Sequence, residues 1–137
     1  MAIEIGEVLV SGKDGSADAL VLSLPISFWG GIDPTSGTVI DPRHPDHRAS
    51  IAGKVLFLPG TIGSSSASAV LMELVHAGKA PAAIVLHEPD AILLVGLICA
   101  REMAWQTPPA FKLNRERHLQ FASRRVSFDS DGRIAAL

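Results

Sequence analysis

The sequence predicts an α/β fold, a mixed sheet or barrel with flanking helices, as a single domain over residues 1–137. Three observations predict it. The middle of the chain alternates strand-like and helix-like apolar segments, both ends carry further strand-like segments, and the composition is that of a packed domain. Of the 137 residues, 47% are hydrophobic and 19% are charged, so the chain has enough apolar surface to form a core and should not be disordered.

The first elements are predicted from alternation and from turn residues. Residues 3–10 alternate loosely between apolar and polar side chains and predict a strand. Two glycines flank Lys13 and Asp14 and predict a turn at 12–16. The apolar run at 17–24 then predicts a second strand.

Residues 25–50 differ from the rest, because prolines and glycines interrupt them throughout. Residues 38–40 are the part of this segment that could pair briefly as a strand. The segment also contains Phe28, Trp29 and Ile32, which a disordered linker would seldom carry. We therefore expect a long loop that is ordered and functional.

The central elements follow in alternation. Residues 54–58 predict a strand that enters a Gly/Ser turn, and residues 66–77 predict a helix ended by Gly78. Next come a strand at 82–86 and a helix at 91–103, which Asp90 is expected to cap. This second helix is apolar along most of its length, so we expect burial on most of its sides, with Cys99 as a buried core thiol.

The C-terminal region completes the pattern with three strands. Residues 110–113 follow two prolines and predict a short strand. Residues 125–128 and 133–136 flank an Asp-Ser-Asp-Gly turn, which is a good signal for a β-hairpin. Residues 112–125 carry a basic cluster, which predicts a solvated or docking face and not an RNA site. It comprises Lys112, Arg115, Arg117, His118, Arg124 and Arg125.

Composition excludes several classes of function. The net charge of −2 gives no general attraction to nucleic acid. No apolar run is long enough to span a bilayer, and the N-terminus lacks the features of a signal peptide, so we expect no membrane partner and a cytoplasmic location. The single cysteine cannot form an internal disulfide or hold an iron–sulfur cluster alone.

A histidine-rich stretch in the long loop has two interpretations. His44 and His47, with Asp41 and Asp46, could ligate a metal, but His-x-x-His outside a helix is a weak metal signal. A rigid loop with solvated charges is favoured, and no metal site is expected. As a further alternative, Arg43 and His44 could orient an acidic ligand or a partner chain.

Four serines, Ser64, Ser65, Ser66 and Ser68, lie where the helix at 66–77 begins. A helix N-terminus attracts anions, because its first amides lack partners and the helix dipole adds positive charge. A single serine there is more often a cap than a catalyst, but four exceed what one cap requires. The segment lacks both the Gly-Lys-Ser/Thr ending of a P-loop and the Gly-x-Ser-x-Gly of a hydrolase elbow.

Several of these motifs, in this order, resemble the small subunit of aconitase X, its swivelling domain. The stretch Phe-Trp-Gly-Gly-Ile-Asp-Pro at 28–34, continuing to Pro45, is similar to a loop of that family, and residues 50–59 to the strand that follows it. Gly63-Ser64 and residues 68–71 resemble its serine turn and helix, and residues 80–85 its next strand. The resemblance extends from about residue 20 to residue 112.

The resemblance implies a swivelling β/β/α domain that works as one part of a lyase. Members of the family dehydrate hydroxy acids and combine this small chain with a large aconitase-like chain, whose cysteines hold an iron–sulfur cluster. By position, Ser64 would be the catalytic base, and no cofactor would be bound by this chain alone. Candidate residues for substrate binding or subunit contact are Gly30, Gly31, Asp33, His44, Gly63, Ser65 and Ser66.

The expected substrate follows from one departure from the family. Many relatives have a basic residue where this chain has Ile62, and its absence argues against a phosphorylated substrate. The leading hypothesis is therefore dehydration of cis-3-hydroxy-L-proline to a pyrroline carboxylate. The alternatives are the small subunit of phosphomevalonate dehydratase and a non-catalytic domain that binds a small anion or only assembles with a partner.

Overall fold

A computed structural model describes residues 2–137. Within them, eight strands and three helices follow one another, with two single-turn 3₁₀ helices at 115–117 and 119–121. The strands are β1 (Ile3–Ile5), β2 (Glu7–Val10), β3 (Gly15–Val21), β4 (Val55–Leu58), β5 (Ala83–Leu86), β6 (Ala110–Lys112), β7 (Arg125–Phe128) and β8 (Arg133–Ala136). The helices are the short α1 (Phe28–Gly31), α2 (Ala67–His76) and α3 (Ala91–Glu102).

The eight strands form a sheet in the order β1-β8-β7-β3-β4-β5-β6-β2. Its two end strands, β1 and β2, are separated in sequence by Gly6 alone, so the sheet closes on itself as a barrel. The fold class is confirmed: a mixed barrel-like sheet with flanking helices. The strand predicted at 3–10 is wrong in one respect, because the chain leaves β8 and joins β6 at this point and thus forms two strands.

Two glycines in close contact allow the barrel to close. The amide of Gly6 donates a hydrogen bond of 2.8 Å to the carbonyl oxygen of Gly132. Gly132 has a φ of +90°, and a β-carbon on it would overlap the carbonyl oxygen of Gly6. Any larger residue at position 132 would therefore face both an unfavourable backbone conformation and a collision with rigid backbone.

The parallel half of the barrel comprises β3, β4, β5 and β6, with α2 between β4 and β5 and α3 between β5 and β6. Every residue of β4 and β5 is buried, as expected for parallel strands covered on both faces. Leu56 and Leu58 pack with the helices, whereas Phe57 points into the barrel interior. The helices cover the outside and leave open the edge at which these four strands end, which we call the carboxyl rim.

Helix α3 buries one face, not most of its surface as predicted. Leu93, Gly96, Leu97 and Ala100 are buried, and their spacing defines a single stripe against α2 and the sheet. Ile92, Val95 and Ile98 are exposed on the other side. Cys99 is also exposed, so the prediction of a buried core thiol is wrong; its side chain lies outside the buried stripe of the helix.

The long loop between β3 and β4 packs against the domain through buried apolar side chains, among them Phe28, Ile32 and Val39. Bridges join Ile32 to Val39 and Thr38 to Ser50, which agrees with the brief strand predicted at 38–40. The loop is therefore a structured part of the core edge.

Most of the basic cluster is exposed, as predicted, but His118 is buried. Its Nε2 lies 2.8 Å from the carbonyl oxygen of Leu113, and its ring packs edge-on against Phe57 at 5.5 Å. Burial lowers the pKa of the His118 imidazole, so the ring is a neutral core group that joins the segment after β6 to the barrel interior.

The two ends of the domain lie side by side. β1 pairs antiparallel with β8, and the amide of Ala136 donates to the carbonyl oxygen of Ala2 at 2.9 Å. β7 is antiparallel to both β3 and β8, so β8 runs in the direction of β3. Ala2 and Ala136 therefore lie at the carboxyl rim.

Candidate active site

The segments that follow β4 and β5 meet at the carboxyl rim. The amide of His87 donates to the carbonyl oxygen of Leu58 at 3.2 Å, and the amide of Glu88 donates to that of Pro59 at 3.1 Å. The serine turn, residues 59–66, thus lies next to residues 87–90. The carboxyl edge of parallel strands is the usual ligand-binding edge in α/β proteins, so this rim is the place to look for a site.

An open pocket of about 340 Å³ lies between the two segments. Its lining consists of Gly60, Thr61, Gly63, Glu88, Pro89, Asp90 and Ala91. Within residues 2–137, the charged groups that line it are the carboxylates of Glu88 and Asp90, and no lysine or arginine does so. The part of the pocket that this chain supplies is therefore acidic.

The hydroxyl of Ser64 is held by a local backbone contact. Its Oγ accepts a hydrogen bond from the amide of Ser66 at 3.2 Å, and its carbonyl oxygen accepts one from Ala67 at 3.2 Å. Ser66 occupies the N-cap position of α2, but its own side chain makes no capping bond. An amide donor directed at Oγ favours negative charge on that oxygen, which a serine acting as a base requires.

Around Ser64, several backbone amides remain available to a ligand. Within the described residues, those of Gly63, Ser64, Ser65, Ser68 and Ala69 have no acceptor in hydrogen-bonding range. These amides precede or begin α2, where the helix dipole adds partial positive charge. The serine turn can therefore bind a carboxylate or stabilise an alkoxide.

Two polar side chains outside the set of predicted site residues, Thr61 and Asp90, join the serine turn to α3. The hydroxyl of Thr61 donates to Asp90 Oδ2 at 2.5 Å, and Asp90 Oδ1 accepts from the amides of Ile92 and Leu93. The predicted capping role of Asp90 is thereby confirmed. Thr61 follows β4 and Glu88 follows β5, and these two strands are parallel neighbours. That arrangement indicates that both residues belong to the site, but it becomes apparent only once the strand order is known.

The long loop between β3 and β4 adjoins the serine turn through Ile26. Ile26 pairs with Thr61, and its carbonyl oxygen accepts from the amide of Ile62 at 3.1 Å. Gly31 packs against Ile26, with a β-carbon at position 31 lying 3.1 Å from that side chain. Gly30 has a φ of +83° and faces open space. Gly30 and Gly31 thus lie beside the turn and outside the pocket lining, and their predicted role in contacts stays a prediction.

Asp33 is engaged within its own loop. Its Oδ1 accepts from the amide of Thr35 at 2.9 Å and from the Thr35 hydroxyl at 2.8 Å. The amide bond first, and then the hydroxyl bond, lower the pKa of the Asp33 carboxyl, so it is ionised at neutral pH. It does not line the pocket, and its predicted contact with substrate or partner stays a prediction.

His44 points into the protein. It is 7% exposed; its Nε2 lies 3.2 Å from the carbonyl oxygen of Leu24, and its Nδ1 accepts from the amide of Asp46 at 3.0 Å. With both ring nitrogens engaged, the side chain connects two parts of the long loop. It is therefore not placed for direct ligand contact in this structure, and a role in subunit contact would have to act through the loop that it holds.

The chain matches a known protein family over nearly its whole length. A family model described as the aconitase X swivel domain matches residues 4–135. The chain belongs to the aconitase X swivel domain family.

Relatives of this swivel domain carry two kinds of name. A cis-3-hydroxy-L-proline dehydratase of Pseudomonas aeruginosa is 43% identical over 130 residues, which are 95% of this chain and 22% of that protein. Phosphomevalonate dehydratase small subunits of Methanopyrus kandleri and Methanothermobacter thermautotrophicus are 48% identical over 82 residues and 41% identical over 98 residues. These matches cover 60% and 72% of this chain and 61% and 75% of the two subunits. The swivel domain thus spans about a fifth of the Pseudomonas relative.

Solved structures have the same fold. A chain in the crystal structure of Thermococcus kodakaraensis aconitase X (holo-form) has a TM-score of 0.83 and 28% identity, and the match covers 100% of this chain and 99% of that one. The solution NMR structure of a UPF0107 protein also has a TM-score of 0.83 and 28% identity, with 99% of both chains covered. A swivel domain of this length therefore exists as a separate chain in a solved aconitase X.

The residues of this swivel domain do not fit an iron–sulfur cluster. Cys99 lies exposed on α3, and no group of three or more His, Cys, Asp or Glu side chains within residues 2–137 could hold a metal ion. A cluster needs several thiolates at one place, and this chain supplies one. In the same residues, no helix is sufficiently long and apolar to cross a lipid bilayer.

Proposed function

We propose that this swivel domain is the small subunit of a two-chain dehydratase that removes water from cis-3-hydroxy-L-proline and gives a pyrroline-2-carboxylate. One observation carries the proposal: the Ser64 hydroxyl lies on the carboxyl rim, beside an open pocket, and accepts an amide hydrogen bond. The 43% identity to a protein named as this dehydratase supports the choice of reaction.

The reaction needs a proton removed from the carbon beside a carboxylate and a hydroxide lost from the next carbon. In the proposal Ser64 removes the proton, since a base must approach the acidic carbon within hydrogen-bond reach. Serine is a poor base unless its alkoxide is stabilised. The Ser66 amide on Oγ, together with the N-terminal amides of α2, supplies that stabilisation, and other unpaired amides of the turn bind the substrate carboxylate.

The proposal assigns the remaining chemistry to a large aconitase-like subunit. An iron–sulfur cluster and the departure of the hydroxide belong there, because residues 2–137 of this chain hold no set of ligands for a cluster. Names of relatives as small subunits support such a partner.

We place the contact with the large subunit on the loop beside the serine turn. Trp29 is 61% exposed and Ile62 is 57% exposed, and Leu24 and Ile40 are exposed as well. Four large exposed apolar side chains on this loop and the adjoining turn are typical of a surface that a partner covers.

The acidic pocket favours an amino-acid substrate. cis-3-Hydroxy-L-proline carries a ring ammonium, which the carboxylate of Glu88 would attract, whereas a phosphate would be repelled by Glu88 and Asp90. Phosphomevalonate is the second candidate, favoured by the relatives named as its small subunits.

The substrate preference is tested by reconstituting the chain with the aconitase-like large subunit of the same genome. We expect turnover of cis-3-hydroxy-L-proline, and a kcat/KM for phosphomevalonate lower by about 100-fold or more because the pocket rejects a phosphate. Turnover of phosphomevalonate alone would establish the second candidate instead. A complex that assembles but dehydrates neither compound would support a non-catalytic domain.

Glu88→Gln tests the ammonium contact. We expect the KM for cis-3-hydroxy-L-proline to rise about tenfold, with kcat within about threefold, because a charge-assisted hydrogen bond is replaced by a neutral one. Glu73→Gln is the matched control, since it removes the same charge from the exposed side of α2 and should change neither constant. Equal KM values for the two variants would remove Glu88 from substrate binding.

A further inference from the structure

The carboxylate of Asp90 makes two attachments at once. One oxygen accepts from the amides of Ile92 and Leu93, at 2.9 and 3.4 Å, and so caps α3. The other accepts from the Thr61 hydroxyl at 2.5 Å. Both residues are half-buried beside the pocket. The first turn of α3 is thereby joined to the chain three residues before Ser64.

The serine turn has few other supports. Apart from the bond between Thr61 and Asp90, residues 61–63 are held to the rest of the described chain by the bridge of Ile26 with Thr61 and by the hydrogen bond from the Ile62 amide to the Ile26 carbonyl oxygen. A β-carbon at Gly63 would meet no atom within 4 Å. The bond between Ser64 and Ser66 is internal to the turn and does not fix its position relative to the pocket.

After Ser64, the chain is again held by α3. Gly96 packs so closely on the start of α2 that a β-carbon there would lie 2.9 Å from the carbonyl oxygen of Ser68. Contacts from α3 therefore reach the chain on both sides of Ser64, through Asp90 to Thr61 and through Gly96 to Ser68. Of these two contacts, the hydrogen bond between Thr61 and Asp90 can be removed by replacing one hydroxyl group. The packing of Gly96 on Ser68 has no such functional group to replace.

We propose that Thr61 and Asp90 are positioning residues, whose hydrogen bond holds the serine turn so that the Ser64 oxygen faces the substrate. The inference rests on the proposed function for the role of Ser64, but not for the role of the hydrogen bond in holding the turn. A base displaced by about 1 Å can lose about 100-fold in rate, so a contact outside the reacting groups can govern kcat.

The test compares Thr61→Val with Thr61→Ser in the assembled complex. Valine keeps the shape and removes the hydroxyl, and we expect kcat to fall about 10- to 100-fold with KM within about threefold of the natural protein. Serine keeps the hydroxyl and should stay within about threefold of the natural kcat. Thr107→Val is the control, because it removes a hydroxyl bond to the Trp105 carbonyl, outside the pocket lining, and should leave kcat unchanged.

Asp90→Asn keeps an N-cap side chain, so it isolates the bond to Thr61 from the cap of α3. In the Asp90→Asn background, Thr61→Val should cause a smaller further loss of kcat than it does alone, since an Asn nitrogen cannot accept from the Thr61 hydroxyl and the shared interaction is already weakened. Full additivity of the two losses would overturn the inference.

Hydrogen exchange of the complex supplies a readout that does not depend on turnover. Thr61→Val should raise amide exchange in residues 61–65, and faster exchange supports the positioning role whether or not Ser64 proves to be the base. An active Ser64→Ala complex would refute the proposed base while leaving this result intact. Unchanged exchange together with a kcat within about threefold of the natural protein would overturn the positioning role.

Discussion

If Ser64 is the base of the proposed dehydratase, replacing it with alanine is expected to lower kcat of the assembled complex by about 10²- to 10⁴-fold, the loss typical for a general base. Assembly and thermal unfolding should be nearly unchanged. The Ser64 side chain makes one hydrogen bond within the described chain, to the Ser66 amide, and losing such a bond costs about 1 kcal/mol. The measurement is kcat of the complex beside its melting temperature and elution volume.

Two neighbouring serines provide matched controls. Ser65 is exposed, and Ser66 makes no capping bond with its side chain, so Ser65→Ala and Ser66→Ala should keep kcat within about threefold. Loss of activity with Ser65→Ala and retention with Ser64→Ala would shift the assignment by one residue. Retention in all three would mean that the serine turn is structural and that the base comes from the other subunit.

Gly132→Ala is expected to destabilise the domain by about 3 kcal/mol or more, the largest effect on stability that we predict. The alanine would have to adopt a φ of +90°, and its β-carbon would overlap the Gly6 carbonyl oxygen, so the barrel could close only with a shift of backbone. Urea unfolding followed by circular dichroism measures the change.

Gly53→Ala separates the two causes. Gly53 has a φ of +68° and no atom within 4 Å of a β-carbon, so it carries the conformational cost without the collision, about 1 kcal/mol. Equal destabilisation of Gly53→Ala and Gly132→Ala would show that contact between Gly132 and Gly6 does not limit closure.

Elements with strong local signals were predicted well from the sequence. The hairpin strands at 125–128 and 133–136 have the predicted bounds, and α2 differs from its prediction by one residue at each end. The turn residues and caps that set these bounds are close in sequence to the elements they end. The division at Gly6 was not predictable in this way, because it depends on pairing with β8 and β6, more than a hundred residues away.

For the candidate site, too, residues marked by a local pattern could be predicted, whereas residues brought together by long-range pairing could not. The position of Gly63 and Ser64 on the carboxyl rim could be expected from the sequence. A glycine- and serine-rich turn between a strand and a helix is a local pattern, and here it lies between β4 and α2. Glu88 and Thr61 come together across 27 residues of sequence, through the parallel pairing of β4 and β5. The inward orientation of His44 could not be predicted either. It depends on the carbonyl oxygen of Leu24, which lies 20 residues earlier in the chain and which no local pattern indicates.

The adjacency of Ala2 and Ala136 bears on how such a domain can be combined with others. Both Ala2 and Ala136 lie at the edge that carries the pocket, so a polypeptide fused to either one would start on the pocket's side of the barrel. A short tether from that edge would hold a catalytic partner at high effective concentration. Covalent fusion and separate chains are thus nearly interchangeable arrangements for this barrel. The Pseudomonas relative is a longer polypeptide, of which the barrel spans 22%.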